Sequence, residues 1–375
     1  MNDDDLCHLL AFMSLPDFGT RRARALLGET TASATSLADS WSHCVSGRVP
    51  PVLRARPDLA SAWIEIAATV VPSEVLARHR DRHLVITTVG DADHPSDLDD
   101  DPHIPPVLFW TGSPSVIEPN RVAIVGTRRA TRYGLDLAFE FGRDLTAAGL
   151  SVVSGLALGI DAAAHSGALE VDGGAAPLAV VGCGLDRIYP ARHRELWRAV
   201  SRQGLVVSEF PLGTPPQPWR FPARNRIIAA MSHAVVVVES HEQGGSLITA
   251  RHAADRGVPV LAVPGSLRSA ASLGTNRLIV DGCAPCLAVD DILMAIGLAG
   301  VGGARPSGGQ GTHPDPQVAL VLDALGWEPA TIDELAGRFD LDIASLSVAL
   351  ARLQEDGFVT ARLGRFERVG VAPGR

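Results

Sequence analysis

Short apolar runs alternate with amphipathic stretches between residues 79 and 296. The runs are continuous rather than alternating, which is typical of parallel strands buried on both faces. The stretches between them, such as LDLAFEFGRDLTAAG, have the period of helices that pack on one side. The pattern predicts an α/β fold with an extended Rossmann-like, doubly wound and mainly parallel sheet. The predicted strands are 84–88, 107–110, 122–125, 151–154, 178–181, 205–208, 234–239 and 259–263.

The chain outside this segment has other patterns. Residues 1–78 predict an N-terminal helical domain, in which LPDFGT resembles the Gly turn of a helix-hairpin-helix. Such a turn can offer backbone N–H groups to a phosphate, and a plain helical bundle explains the pattern equally well. Residues 297–315 are rich in glycine and predict a flexible linker. Residues 316–375 predict three helices and a β-ribbon, which together form a C-terminal winged-helix domain.

The winged-helix pattern does not by itself indicate DNA reading. Its third helix offers Arg352 as a cation and carries Glu355 and Asp356 near its end. We therefore expect this domain to serve protein contact or packing rather than direct base readout.

Charge is distributed unevenly along the chain. The net charge of −9 argues against a nucleic-acid partner. Residues 91–103, however, hold six Asp and no Arg, whereas residues 121–134 hold four Arg and no acid, so a local positive site is compatible with the total. All 33 basic residues are Arg, because the sequence contains no Lys. This excludes a standard Walker A loop and a Schiff-base lysine.

Composition also bears on location and metal chemistry. No apolar run approaches the ~18 residues of a membrane span, and the acidic start MNDDDLCHLL is a poor signal peptide. Five scattered cysteines form no disulfide framework, so we expect a reducing cytoplasm. Cys283 and Cys286 form a lone C-x-x-C without a second pair at zinc spacing. We expect two incidental thiols, no metal site and no cofactor.

Glycine-rich turns follow four of the predicted strands and open helices. In a parallel sheet these turns share the carboxyl edge, where glycines admit a ligand and helix N-termini favour anions. None is a complete G-x-G-x-x-G, so each alone is weak evidence, but together they predict an anion-binding face, most naturally for phosphate. The turns are Gly126-Thr127-Arg128, Ser154 to Asp161, Gly182-Cys183-Gly184 and Gly244-Gly245-Ser246.

Guanidinium groups strengthen the phosphate prediction. Arg128 is in the first turn, and Arg224-Asn225-Arg226 is placed just before a helix that leads into a strand. A planar, permanently charged fork suits bidentate phosphate contact. We expect Arg224 and Arg226 to form half of a backbone clamp with Arg128 opposite, and the pattern leaves open which of the two contacts phosphate.

Catalytic chemistry is harder to find in the sequence. Asp161 and His165 are spaced i, i+4 and could form an acid/base pair, but helix capping and packing explain them better. Ser246 is better explained as a helix N-cap or phosphate donor than as a nucleophile. The sequence contains no recognisable motif that combines a nucleophile, a base and a group that orients the base, so no catalytic residue is predicted.

Six segments, in order, resemble the DNA-processing protein A (Smf) family. The resemblance spans about residues 85–295, and the flanking regions resemble that family's sterile-alpha-motif-like N-terminal domain and winged-helix C-terminal domain. The segments are VAIVGTRRATRYG, SGLALGIDAAAHSGAL, GCGLDRIYPARHREL, SEFPLGTPPQPWRFPARNRIIAAMS, GGSLITARHAADRGVPVLAVPG and GTNRLI.

The resemblance implies a cytoplasmic, non-enzymatic homodimer that binds single-stranded DNA. It further implies a recombination mediator that protects strands taken up in natural transformation and loads the RecA recombinase. The family's DNA pocket, carried over residue by residue, would comprise Gly126, Thr127, Arg128, Ser154, Gly155, Arg224, Asn225, Arg226, Gly245, Ser246 and Thr249.

The chain departs from the family pattern at several points. Many members have lysines in or near the pocket, and Arg220 or Arg251 could replace that charge here. His193 stands in place of the Asn of Y-P-x-x-N and His94 in place of the Tyr of D-x-x-Y-P, changes expected to affect packing more than binding. The candidates for base stacking near the pocket segments are Tyr133, Tyr189, Trp219 and Phe221.

Two other functions remain open at this point. The glycine-rich pattern also resembles lysine-decarboxylase-like nucleotide phosphoribohydrolases, in which P-G-G-x-G-T-x-x-E carries the catalytic Glu. The corresponding residues 239–250, ESHEQGGSLITA, have no downstream Glu. A transcription regulator that acts through the winged helix is the other alternative.

Overall fold

A computed structural model shows two compact units, Met1–Ala299 and Gly300–Arg375. Nearly all of the predicted linker, residues 297–315, lies outside the part of the chain that the structure describes. The described residues are 1–33, 35–53, 57–99, 101, 103–117, 120–298, 315–325, 330–337, 342–356, 358–362 and 364–368.

The first unit alternates helices and strands after an all-helical start. Its helices are α1 Asp3–Met13, α2 Thr20–Ser33, α3 Leu37–Val45, α4 Pro57–Ala67, α5 Pro72–Asp81, α6 Arg132–Ala147, α7 Ile160–Leu169, α8 Arg194–Gln203, α9 Arg220–Ala230, α10 Ser246–Ala254, α11 Leu273–Val280 and α12 Val289–Ala295. Its strands are β1 Val85–Thr88, β2 Val107–Gly112, β3 Arg121–Val125, β4 Ser151–Ser154, β5 Leu178–Val181, β6 Leu205–Ser208, β7 Ala234–Val237, β8 Val260–Ala262 and β9 Ala284–Pro285. Short 3₁₀ helices cover Pro51–Leu53, Ser96–Leu98, Pro114–Ile117, Ala191–His193 and Ala270–Ser272.

One sheet with the strand order β1-β2-β6-β5-β4-β3-β7-β8-β9 organises this unit. Neighbouring strands from β6 to β9 are parallel, whereas β2 is antiparallel to β6 and β1 is antiparallel to β2. Strands β3 to β7 are buried at every position, as continuous apolar runs predict. The expected Rossmann-like sheet is confirmed, and the eight predicted strands correspond to β1–β8. Strand β9, only two residues long, carries too little pattern to be predicted.

The N-terminal helices pack against this sheet. Phe12, Trp41 and Trp63 share one apolar cluster with Phe109 and Val206 of the strands. The turn between α1 and α2 contacts helix α4, because Nε1 of Trp63 donates a 2.8 Å hydrogen bond to the Pro16 carbonyl. The helical N-terminal region is confirmed, whereas a domain boundary at residue 78 and phosphate binding by the turn remain predictions.

The helices of the described residues are short. None of them is long and apolar enough to cross a membrane alone. Helices α4 and α5 together meet the length and composition of a span, and they form an angle of 77°.

The second unit contains the winged-helix elements α13 Pro316–Leu325, β10 Ala330–Thr331, α14 Ile332–Ala336, α15 Ile343–Glu355, β11 Val359–Arg362 and β12 Arg365–Arg368. Its antiparallel sheet has the order β10-β12-β11, and apolar side chains of the helices and Val359 form a separate core. The expected three helices and β-ribbon are confirmed. Arg352, the cation of α15, pairs with Asp315 at 3.0 Å.

Candidate functional site

A cleft of about 430 Å³ opens at the carboxyl edge of the central strands. The segments that follow β3, β4 and β7 contribute to its lining, and these strands are neighbours in the sheet. The chain runs outward from β3 through β4, β5 and β6, then returns to β7 on the other side of β3. The cleft therefore lies at the topological switch point, where open α/β sheets bind ligands.

The turn after β3 forms one wall. The backbone N–H of Thr127 donates a 2.8 Å hydrogen bond to the Glu239 carbonyl, and a Cβ at residue 126 would lie 2.8 Å from the same oxygen, so glycine permits this approach. Arg128 and Arg129 are exposed and line the cleft. Arg129 is absent from the predicted set, although its charge beside Arg128 was a usable signal.

Helix α9 places Arg224 in the floor of the cleft. Its Nη1 donates to the carbonyls of Gly155, at 3.0 Å, and Val180. Arg224 is only 3% exposed, and burial lowers the pKa of its guanidinium to about 10, so the group remains charged at neutral pH. Arg224 thus both braces the floor and supplies charge to it.

Asp161 balances this buried charge. Its Oδ2 accepts backbone hydrogen bonds from Gly155, at 3.1 Å, and Ala157, at 3.4 Å. Burial raises the pKa of Asp161, while the charge of Arg224 and the two N–H groups oppose that shift. Asp161 is the one carboxylate among the described residues of the cleft lining, and it already holds the loop after β4.

The triplet Arg224-Asn225-Arg226 lies inside α9, so the prediction that it precedes a helix is wrong. The helix starts at Arg220, because Pro222 falls in the first turn, where its missing N–H costs no helical hydrogen bond. Consecutive helical residues point in different directions. Of the two arginines, Arg224 lines the cleft and Arg226 does not.

Arg226 belongs to a buried ionic network instead. Its Nη1 and Nη2 each donate a 2.8 Å hydrogen bond to the carboxylate of Glu209, which also accepts from the Thr20 hydroxyl of α2. Asp101 lies 3.8 Å from Arg226 and 2.7 Å from Arg256. The acidic segment 91–103 therefore supplies partners for buried arginines.

The N-terminus of α10 forms the opposite wall. Gly245, Ser246 and Thr249 line the cleft there, and the partial positive charge of a helix N-terminus favours an anion. Asn225 joins the two helices, since its Nδ2 donates a 3.2 Å hydrogen bond to the Gly245 carbonyl. His241 and Gln243 also line this wall and were not predicted, because neither belongs to a glycine-rich motif.

A second cavity of about 30 Å³ shares Arg128, Ala157, Phe221 and Arg224 with the cleft. The rings of Tyr189 and Phe221 stack there, with centroids 5.1 Å apart and an angle of 25° between planes. The Arg128 guanidinium lies 5.1 Å from the Phe221 centroid. Aromatic surface and permanent charge are therefore adjacent.

Several of the predicted residues, Arg226 among them, lie outside both cavities. Ser154 is fully buried, and its hydroxyl donates a 2.7 Å hydrogen bond to the Ile124 carbonyl. Neither Arg220 nor Arg251, the suggested replacements for lysine, is part of either lining. The other predicted residues line the cleft or the smaller cavity: Gly126, Thr127, Arg128, Gly155, Arg224, Asn225, Gly245, Ser246 and Thr249.

Three further features that the sequence offered as candidates for function do not line either cavity. The turn Gly182-Cys183-Gly184 does not line either cavity, which corrects the expectation of four turns on one binding face. His165 is fully buried beside Arg224, and burial lowers its pKa to about 3, so the imidazole is neutral. Burial raises the pKa of Cys286 to about 12, which keeps this sulfur of the C-x-x-C a thiol.

The fold and the cleft define a class of protein. Its members have a Rossmann-like sheet with a cationic, glycine-lined cleft at the switch point, and they also carry a winged-helix unit. The chain belongs to the DNA recombination-mediator protein A family, whose sequence model matches residues 85–297. A DprA winged helix domain matches residues 305–365. The resemblance inferred from the six segments is confirmed.

Relatives and solved structures agree with this assignment. Protein Smf of Synechocystis sp. is 32% identical over 333 residues, which cover 79% of this chain and 83% of that protein. The structure of DNA processing protein A from Streptococcus pneumoniae is similar, with a TM-score of 0.65, 28% identity and coverage of 78% of this chain and 98% of that chain. A structure of DNA processing protein A from Helicobacter pylori, described for its single-stranded DNA binding mode, has a TM-score of 0.51, 29% identity and coverage of 57% and 96%.

Proposed function

We propose that the cleft binds the sugar-phosphate backbone of single-stranded DNA. The observation that carries the proposal is the convergence of exposed Arg128 and Arg129, buried Arg224 and the N-terminus of α10 on one cleft. All three cations are guanidiniums, which match phosphate geometry and stay charged at every physiological pH. The net charge of −9 does not oppose this, since Asp97 and Asp101 of segment 91–103 pair with arginines that do not line the cleft.

Aromatic surface beside the cleft supports a single strand over a duplex. Bases of a single strand are free to stack on protein rings, and every base has such a face. The Tyr189–Phe221 stack lies next to Arg128, and Tyr189 is 43% exposed. Contact through phosphates and ring faces carries little sequence information, so binding is nearly indifferent to sequence.

The mediator role extends this binding. Membership of the family, together with the single-stranded DNA binding described for the Helicobacter pylori relative, supports protection of single strands and their delivery to RecA. We propose a homodimer as the working form, because exposed large apolar side chains concentrate in one stretch of the first unit. They are Leu267, Leu273, Val280, Leu287 and Met294.

We propose that the cleft acts without catalysis. The phosphoribohydrolase alternative requires a Glu downstream of the glycine pair, and residues 246–254 contain no carboxylate. Incubation with nucleoside monophosphates tests directly whether the cleft is catalytic. Release of free base would support the phosphoribohydrolase hypothesis, whereas intact nucleotide supports binding alone.

Titration of single- and double-stranded DNA at several salt concentrations tests the binding proposal. We expect preference for the single strand and, for about four neutralised phosphates, a slope of log affinity against log salt of about −3. A slope near zero, or equal affinity for the duplex, would overturn the proposal. Size-exclusion chromatography with light scattering on the full chain and on Val280→Glu tests the dimer, and a wild-type monomer would contradict it.

A further inference from the structure

Trp219 stands immediately before α9, two residues from the Phe221 ring that borders both cavities. It is 50% exposed, whereas Trp41, Trp63 and Trp110 are buried. Tryptophan is enriched at binding interfaces because its ring is a large apolar surface and its N–H can still be paired. Trp219 lines neither cavity, so the cleft itself does not use this surface.

The indole is held in one orientation. Its Nε1 donates a 2.7 Å hydrogen bond to Oε1 of Gln217. The guanidinium of Arg220 lies over the ring at 5.0 Å from the centroid and also lies 5.1 Å from the Phe210 centroid. One face of the indole is thus covered by a cation that is itself buried, while half of the Trp219 surface remains exposed. A ring fixed in this way loses little freedom when a second ring stacks on it.

The position of Trp219 relates it to the cleft. Residues two apart at a helix start lie about 5 Å apart at Cα and point in different directions. A strand that contacts Arg128 and the Phe221–Tyr189 stack, and then continues across the N-terminal end of α9, reaches Trp219. Charge on Arg220 beneath the indole also favours the approach of an anionic strand.

We propose that Trp219 is a stacking site for one further base of single-stranded DNA, outside the phosphate cleft. The proposal rests on the proposed function and extends the length of strand that the protein holds. It requires no sequence preference, since any base offers a face to the indole.

Oligothymidylates from about 4 to about 16 nucleotides test the proposal with the full chain. We expect Trp219→Ala to bind the shortest oligonucleotides like the wild type and to bind the longer ones on the order of 5- to 150-fold more weakly, the range expected for loss of one stacked base. Trp219→Phe keeps an aromatic face and should restore most of the affinity. Val89→Ala shortens a side chain of similar fractional exposure that lines neither cavity, and it should change nothing.

Abasic oligonucleotides separate stacking from phosphate contact. On a long abasic strand, the wild type and Trp219→Ala should bind equally. Unchanged affinity of Trp219→Ala for all long strands, or the same loss on abasic strands, would overturn the proposal. Binding of no oligonucleotide by the wild type would instead overturn the proposed function and the inference with it. Circular dichroism of both Trp219 variants establishes that they are folded.

Discussion

The guanidinium of Arg224 occupies the space that a side chain on residue 155 would need. Its Nη1 donates a 3.0 Å hydrogen bond to the Gly155 carbonyl, and a Cβ at residue 155 would lie 2.0 Å from Nη2. The loop after β4 and helix α9 therefore interlock at one pair of residues. This interlock places the buried charge of the cleft.

Gly155→Ala should disrupt this interlock. Because the new methyl group would overlap a buried guanidinium, we expect a loss of about 1–3 kcal/mol in the free energy of unfolding and weaker binding of single-stranded DNA. Urea denaturation and a binding titration measure the two effects. Gly28→Ala is the control: it meets open space inside α2 and should stabilise the protein by up to about 1 kcal/mol. A stable Gly155→Ala variant with normal binding would contradict the interlock.

Arg226→Met should lower the free energy of unfolding and leave the phosphate contacts of the cleft unchanged. The substitution leaves the buried Glu209 carboxylate without its bidentate partner, which typically costs about 3–5 kcal/mol. Chemical denaturation measures this loss, and the double variant with Glu209→Leu should recover part of it. The salt slope of DNA binding should stay unchanged, since Arg226 does not line the cleft. A reduced slope in a folded Arg226→Met variant would assign this residue to phosphate after all.

Arg128→Ala should weaken binding to all single-stranded sequences by a similar factor. Loss of one phosphate contact reduces the steepness of the salt dependence by about 0.7. Fluorescence anisotropy with several oligonucleotides over a range of salt checks both statements. Arg198→Ala on α8, an exposed arginine paired with Glu195, is the matched control and should behave like the wild type. A loss restricted to one sequence would contradict backbone recognition.

His165 should make stability depend on pH below neutrality. Burial lowers its pKa from 6.5 to about 3. Below pH 6.5 the imidazole is therefore protonated in the unfolded chain, whereas it stays neutral in the folded chain down to about pH 3. The effect is absent above pH 6.5 and destabilises the fold progressively towards pH 3, by about 1.4 kcal/mol per pH unit. Denaturation of wild type and His165→Gln at a series of pH values checks this: the stability gap between them should narrow on acidification. A constant gap would show that His165 does not titrate in this way.

Removal of residues 300–375 should leave single-strand binding intact. Every residue that lines the cleft lies in the unit Met1–Ala299, and the winged-helix unit has its own core. A binding titration of the truncated chain, with its thermal unfolding as a check of folding, measures the outcome. Loss of binding by a folded truncated chain would assign the winged helix a direct part in DNA contact.

Much of the architecture follows from local pattern. Continuous apolar runs such as AVVVV predict parallel strands because a strand buried on both faces needs no polar positions, and the glycines at the strand ends mark the edge where helices begin. Most of the cleft was predictable for the same reason, since turns after neighbouring parallel strands must meet. Ser154 shows the limit of prediction from local pattern, because a hydroxyl at a strand end can face either the core or the cleft, and here it is buried in the core.

The stretch FPARNRIIAAM shows where local pattern stops being informative and long-range packing takes over. The sequence determined that three polar side chains lie against an apolar core beside a binding edge, and that all cations of the chain are guanidiniums. Only the folded chain decided that Arg224 faces the cleft while Arg226 pairs with Glu209, 17 residues earlier. The physical reason is that neighbouring helical residues diverge in direction, and the partner of a buried charge is set by long-range packing that leaves no periodic trace in the sequence.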